Sequence, residues 1–147
     1  MVTEPGRLLS YETDALARHT CTPRAVVLPG SSTEAAEVVG VLTGAGIPIT
    51  PRGAGTGLSG GSVVSPGGVL VGTSRMTRIL RLDPVRRLAR VEAGVINTDL
   101  SAAARPHGLH YPPDPSSQTA CTLGGNVGEN AGGPHCLKYG VTTRYVT

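Results

Sequence analysis

The chain has 147 residues, a mean hydropathy of +0.02 and a hydrophobic fraction of 39%, which are values of a globular domain and not of a disordered chain. Its formal net charge is +3. Twelve arginines and one lysine carry the positive charges, and acidic residues lie between them along the sequence. With no tryptophan or phenylalanine to stack on bases, this pattern disfavours nucleic-acid binding.

The cysteines and the N-terminal segment indicate in which cellular compartment the protein is expected. Cys21, Cys121 and Cys136 form no CxxC pair, which favours the reduced thiols of a cytoplasmic protein. The opening MVTEPGRLLS has an acid at position 4 and lacks the apolar stretch of a signal peptide. No run approaches the roughly 20 apolar residues of a membrane helix. We therefore expect a cytoplasmic protein without a membrane span.

The first part of the chain predicts a βαβ unit. Residues 1–23 form a polar lead-in with a short helix predicted around 8–17, and AVVLP at 25–29 predicts a strand. The segment 31–46 predicts a helix, because Ser31 and Glu34 have capping-box spacing and apolar residues follow at helical intervals. IPIT, at 47–50, predicts the second strand, parallel to the first through a right-handed crossover.

Three further strands are predicted over GGVLVGTS, RILRLD and RLARVEAG, which are residues 67–74, 78–83 and 87–94. The last of them alternates apolar and charged residues. This alternation predicts a half-exposed strand with Arg90 and Glu92 on the solvent face.

The C-terminal third predicts one short helix and a long loop. NTDLSAAARPHGL, at 97–109, predicts a helix with Asn97 as its cap and Pro106 and Gly108 as its end. Residues 110–140 predict a loop, and a loop of that length inside a compact domain is usually functional or disordered. Residues 141–147 predict a strand.

The stretch PITPRGAGTGLSGGSVVSPGG, at 48–68, predicts a phosphate site. Successive small residues let backbone N–H groups surround an anion. Arg52 is the only charged residue of the stretch. The P-loop pattern is absent. The Rossmann pattern GxGxxG matches at Gly55, Gly57 and Gly60, but the β-branched, proline-broken sequence that follows disfavours the helix this pattern must open. A diphosphate-binding loop, a Rossmann unit and a glycine-rich turn without a ligand all stay open at this point.

The loop at 113–133 predicts a second ligand contact. It combines hydroxyls, amides and five glycines, which suit the carbonyls and ring nitrogens of a flavin edge, while an ordered structural loop is the alternative. We expect this loop and the glycine loop to face each other across one cleft. No metal site is predicted, because His107 and His110 have no carboxylate nearby, and His135 with Cys136 is interpreted as loop wall.

Four blocks in this order resemble one family. RAVVLPGSSTEAAEVV (24–39), PRGAGTGLSGG (51–61), YPPDPSS (111–117) and CTLGGNVGENAGGPHCLKYGVT (121–142) resemble the FAD-binding domain of the vanillyl-alcohol-oxidase/PCMH flavoproteins. Within that group they resemble most the glycolate oxidase FAD-linked subunit and D-lactate dehydrogenase. The resemblance implies an α+β, PCMH-type FAD-binding domain of two small α/β subdomains with FAD between them, the second incomplete. It implies a lead-in at 1–23 and the domain at 24–147, truncated at its C-terminal end.

The resemblance also implies the cofactor contacts. In the glycine loop they are Pro51, Arg52, Gly53, Ala54, Gly55, Thr56, Gly57, Leu58, Ser59, Gly60 and Gly61. In the second loop and beyond they are Pro113, Ser117, Thr122, Gly124, Gly125, Asn126, Gly133, Gly140 and Val141. Relatives that attach flavin covalently use a histidine in a pattern like RSGGH, and Thr56 stands at that position here. The resemblance therefore implies non-covalent FAD.

The function implied is that of a flavin-dependent 2-hydroxy-acid dehydrogenase or oxidase acting on glycolate or D-lactate. The resemblance implies a small 2-hydroxy-acid substrate in the full-length protein, an iron–sulfur or other electron-acceptor subunit as partner, and peripheral membrane attachment through that subunit. The chain is interpreted as an N-terminal fragment, inactive alone, with catalytic and metal residues downstream. The alternatives are another PCMH flavoenzyme, such as an alditol oxidase or a UDP-N-acetylenolpyruvoylglucosamine reductase, and a non-catalytic nucleotide-binding module.

Overall fold

The computed structural model describes residues 1–147, and the chain divides into two compact units, Met1–Met76 and Thr77–Thr147. Each unit has its own sheet and its own cluster of buried apolar side chains. Because helices accompany a parallel sheet in one unit and an antiparallel sheet in the other, the α+β class that the resemblance implied is confirmed. None of the helices combines the length and the apolar character that crossing a lipid bilayer requires.

Three parallel strands organise the first unit. Its elements are α1 (Pro5–Leu8), a 3₁₀ turn (Leu9–Tyr11), β1 (Ala25–Val27), α2 (Ser32–Gly44), β2 (Ile49–Arg52) and β3 (Val69–Gly72). The predicted parallel arrangement of β1 and β2 is confirmed, but β3 lies between them and pairs with both. All four residues of β3 are buried, as expected for the central strand of a parallel sheet.

Helix α2 begins where its capping signal predicts. The Ser31 hydroxyl accepts a hydrogen bond from the backbone N–H of Glu34 at 3.1 Å. The Glu34 carboxylate in turn accepts from the N–H of Gly30 at 2.7 Å, one residue before the cap. The first bond satisfies a donor that a helix start leaves unpaired, and the second ties the residue before the cap to the first turn. The predicted apolar stripe is only partly correct, because Val39 is 43% exposed.

The predicted helix at 8–17 is wrong in position, and this segment packs against the first unit's core. Val2 exchanges two backbone hydrogen bonds with Val26, at 2.8 and 2.9 Å, and Leu8 is buried in the same cluster. The end of the predicted segment is a turn instead of a helix, because the Asp14 carboxylate accepts from the backbone N–H groups of Leu16 and Ala17. Such a local side-chain bond competes with helical hydrogen bonding.

The second unit is a hairpin followed by helices. Its elements are β4 (Ile79–Asp83), β5 (Leu88–Val91), α3 (Asn97–Ala104), a 3₁₀ turn (Arg105–His107), α4 (Leu123–Glu129), α5 (Cys136–Tyr139) and a 3₁₀ turn (Thr142–Tyr145). Strands β4 and β5 are antiparallel, with an irregular register between Ile79 and Arg81. Val95, Leu100 and Leu123 form the buried cluster. Gly108, at φ +70°, ends the α3 region as predicted.

Helical segments replace two of the predicted irregular or extended stretches. The predicted loop 110–140 contains α4 and α5, and the predicted strand 141–147 contains a 3₁₀ turn. Helix α4 forms despite its glycines because Thr122 caps it, accepting from the N–H of Gly125. The buried Thr142 donates its hydroxyl proton to the carbonyl of Ala131 at 2.6 Å, which ties the last turn to the end of α4.

Two polar side chains have other partners than the sequence predicted. Asn97 does not cap α3; its amide donates to the carbonyl of Pro113 at 2.8 Å, and Ile96 takes the cap position. Glu92 is not on a solvent face. It is 6% exposed and accepts from the backbone N–H and the guanidinium of Arg78. Both residues bind partners that are distant in sequence. The spacing of polar and apolar residues along the chain does not predict such hydrogen bonds.

Stability of the second unit should fall in acid through Glu92. The guanidinium and the backbone N–H of Arg78 lower the pKa of Glu92 below its ordinary value. Burial alone would raise this pKa, but its effect is smaller. A lowered folded-state pKa stabilises the fold above the unfolded value of 4.5, and this stabilisation disappears as pH falls through the folded value. We expect Glu92→Gln to melt below wild type at neutral pH and the gap to close in acid. Thermal melts across this range measure it; the exposed Asp99→Asn is the control, and a pH-independent gap would contradict the prediction.

Candidate functional site

The glycine loop, residues 53–62, follows the carboxyl end of β2. Ligands of parallel sheets bind at such strand ends. No helix lies between Gly53 and Gly68, so the GxGxxG match does not open one, as predicted. Gly55 and Gly60 have φ values of +73° and +82°, a region that disfavours residues with a β-carbon, whereas Gly57 lies outside it.

Arg52 holds the glycine loop from within. Its Nη1 donates to the backbone carbonyls of Thr13 at 2.7 Å, Ser62 at 3.3 Å and Tyr11 at 3.5 Å. Burial lowers the pKa of Arg52, and the nearby Asp14 offsets part of that change. The guanidinium therefore binds carbonyl groups of the protein's own main chain, a role that the sequence did not suggest.

The middle of the glycine loop offers free backbone donors. The N–H groups of residues 54–58 donate to no protein atom, while the N–H of Gly60 donates to Asp14. The loop carries no lysine, so neutral N–H groups are its main means of binding an anion. This donor set fits the diphosphate of a dinucleotide.

Asp14 is a site residue that sequence reasoning missed. Its Oδ2 accepts from the N–H of Gly60 at 2.8 Å, across 46 residues of sequence. Burial raises the pKa of Asp14, but the N–H donors of Gly60, Leu16 and Ala17 lower it by more, and the pKa lies below its ordinary value. An aspartate in a polar lead-in carries no signal of this contact.

The start of α4 is shaped by residues predicted to line the cofactor. The N–H of Gly124 donates to the carbonyl of Ala93 at 2.8 Å, and the N–H of Gly125 donates to the Thr122 hydroxyl. A β-carbon on Gly124 would lie 2.9 Å from that carbonyl oxygen, so only glycine fits. These two N–H groups already donate to protein atoms, so a ligand would contact other atoms of these residues.

The side-chain amide of Asn126 is buried, and its nitrogen has no hydrogen-bond partner of standard geometry. The residue is 2% exposed. Burial raises the pKa values of Tyr111 and Cys121, and the nearby Asn126 amide offsets part of each rise. A buried donor of this kind is rare in proteins unless a ligand or water completes it. The Nδ2 atom is covered by protein atoms, and the Tyr111 hydroxyl and the Cys121 thiol lie beside the amide. Contact between Asn126 and the flavin stays a prediction.

Gly133 and Gly140 serve tight chain crossings. Gly133 has φ +104° and packs against the main chain of Asp114, and Gly140 has φ +85° beside Arg144. The Asp114 carboxylate contacts the Nδ1 of His135 at 2.5 Å and accepts from its N–H at 3.4 Å. The bond from His135 lowers the pKa of Asp114. This pair joins the segment around Pro113 to the segment after α4.

Comparison with known proteins identifies the family. A family model described as an FAD binding domain matches residues 23–147. The chain belongs to this family. FAD is its cofactor, as the resemblance implied.

Relatives and solved structures agree with the family assignment. The glycolate oxidase subunit GlcD of Escherichia coli (strain K12) is 49% identical over 92% of this chain, and D-lactate dehydrogenase of Anaerostipes hadrus is 44% identical over 84%. The chain spans 27% and 26% of the lengths of these two relatives. An alkyldihydroxyacetonephosphate synthase structure matches with a TM-score of 0.72 and 27% identity over 81% of this chain and 22% of its own. The PCMH-type FAD-binding fold is confirmed.

The structure distributes the predicted FAD contacts over the two units. Residues 51–61 are contiguous in the first unit. In the second unit, Asn97 bonds to the carbonyls of Pro113 and Cys121, the residue before Thr122, and the Asp114–Gly133 crossing places Pro113 near Gly133. That these residues contact FAD, and that the two loops face each other, stay predictions. No group of three or more His, Cys, Asp or Glu side chains is arranged to hold a metal ion.

A cavity in the second unit lies apart from the predicted contacts. It measures about 580 Å³ and is lined mainly by apolar side chains, including Leu88, Leu100 and Tyr111. None of the predicted FAD contacts lines it.

Proposed function

We propose that the chain is the FAD-binding part of a flavin-dependent 2-hydroxy-acid dehydrogenase or oxidase whose substrate is glycolate or D-lactate. The observation that carries the proposal is the run of free N–H groups at 54–58, within a sequence 49% identical to a glycolate oxidase subunit. A neutral donor set suits a diphosphate linked on both sides, which carries less charge than the free phosphates that lysine-containing loops bind.

Each part of the chain has a proposed role toward FAD. The N–H groups of 54–58 bind diphosphate oxygens, and Arg52 keeps this segment in place. Asn126 belongs to the proposed flavin contacts because the family resemblance implies it, together with its neighbours Gly124 and Gly125. The cofactor is held non-covalently, because Thr56 offers no histidine for attachment.

A bound flavin would supply the redox chemistry: its N5 would accept the hydride from C2 of the hydroxy acid, while a base would take the hydroxyl proton. The residues described here bind and orient the cofactor, and none is assigned as that base. We therefore expect FAD binding without turnover from these 147 residues.

The partner assignment also rests on the relatives. GlcD is named as a subunit of glycolate oxidase, which supports a multi-subunit enzyme. We propose an electron-acceptor subunit, of the iron–sulfur or another type, and a cytoplasmic or membrane-peripheral location through that subunit.

Ligand titration tests the proposal. We expect FAD to bind the purified chain and ADP to compete with it, because both carry a diphosphate, and riboflavin to compete poorly. Quenching of flavin fluorescence measures the affinities. Absence of FAD binding, or equal competition by riboflavin and ADP, would overturn the diphosphate assignment.

A further inference from the structure

Asp14 uses its two carboxylate oxygens for two different tasks. Oδ1 accepts from the N–H groups of Leu16 at 3.0 Å and Ala17 at 3.2 Å, which forms a local turn. Oδ2 accepts from the N–H of Gly60 at 2.8 Å, at the far end of the glycine loop. The residue is 7% exposed, so water competes little for these bonds.

The neighbours of Asp14 contact the same loop. The N–H of Ala15 donates to the carbonyl of Gly57 at 3.2 Å, and the carbonyl of Thr13 accepts from Arg52 at 2.7 Å. Residues 13–15 therefore contact Gly57 and Gly60 of the loop, and Arg52 directly before it. The free N–H groups of 54–58 fall within the span that these contacts restrain.

We propose that Asp14 is a positioning residue that sets the glycine loop in its diphosphate-binding conformation; this inference rests on the proposed function. Glycine-rich backbone loses much conformational entropy when ordered, and a loop ordered before binding spares the ligand that cost. The carboxylate also repels phosphate oxygens from the N–H of Gly60. The diphosphate is therefore assigned to residues 54–58, and Gly60 to shaping the loop.

The substitution Asp14→Asn separates the two tasks. Asparagine has one side-chain oxygen, which can keep the turn at Leu16 and Ala17 but then places an NH₂ donor toward the N–H of Gly60. We expect the dissociation constant for FAD to rise at least about tenfold, as loss of a preorganised loop implies. Asp14→Ser, whose short hydroxyl can keep the turn but not reach Gly60, should behave alike. Glu37→Gln, an exposed carboxylate change in the same unit, is the matched control.

Amide exchange in the ligand-free chain gives a readout that does not depend on FAD. We expect the Gly60 amide to exchange at least about tenfold faster in Asp14→Asn, while the Leu16 and Ala17 amides stay protected, because only the Gly60 bond is lost. Unchanged Gly60 exchange, or faster exchange with FAD affinity equal to wild type, would overturn the inference. Failure of the wild-type chain to bind FAD would instead overturn the proposed function, and Gly60 exchange would still decide whether Asp14 orders the loop.

Discussion

Gly55→Ala is expected to weaken FAD binding by roughly thirtyfold, or about 2 kcal/mol, because it disturbs the loop in two ways. The first is backbone strain, since Gly55 has φ +73°. The second is steric: the new β-carbon would overlap the Arg52 guanidinium, whose Nη1 donates to the carbonyls of Thr13 and Ser62. Fluorescence titration of the variant with FAD measures the loss.

Gly67→Ala is the matched control for that change. Gly67 has φ +75°, nearly the same strain, but a β-carbon there meets no atom within 4 Å and lies outside residues 53–62. We expect it to lower stability by about 1 kcal/mol and leave FAD affinity near that of wild type. Equal affinities of the two variants would show that the shape of the loop at Gly55 does not govern binding.

Gly133→Ala should destabilise the second unit by about 3 kcal/mol or more. Gly133 has φ +104°, and a β-carbon there would overlap the carbonyl group of Asp114, which is backbone and cannot rotate away. The N–H of Asp114 donates to the carbonyl of Gly132 at 2.8 Å, so the two segments cannot separate without losing that bond. Thermal unfolding should show a drop of roughly 10 °C or more.

Gly128→Ala provides the contrast within the same unit. Gly128 lies in α4, and a β-carbon there has open space around it. We expect a gain of about 0.5 to 1 kcal/mol, because alanine favours the helix. If both variants melted at the same temperature, the Asp114–Gly133 crossing would not be a tight point of the fold.

Local signals in the sequence were sufficient wherever neighbouring residues satisfy each other. The capping box at Ser31 and Glu34 predicts the start of α2, and both of its bonds lie within four residues. The buried run at 69–72 predicts a strand because four apolar or small residues suit the centre of a parallel sheet. The bare backbone of 53–61 predicts a loop for an anion, since glycines in such number have no use in a core.

Only the tertiary structure decided which polar groups meet across the chain. Glu92 binds Arg78, Asn97 binds Pro113, and Asp14 binds Gly60. Helix α4 likewise depends on bonds from Leu123 and Gly124 to the carbonyls of Val95 and Ala93. In each case a buried donor or acceptor takes the partner that folding brings near, because leaving it unpaired costs about 1 to 3 kcal/mol. Local patterns predicted the first βαβ unit and an anion-binding loop, whereas the fold class and FAD followed from the resemblance of four sequence blocks to a known family. The restraints that shape the loop arise from long-range hydrogen bonds, which leave no local pattern in the sequence.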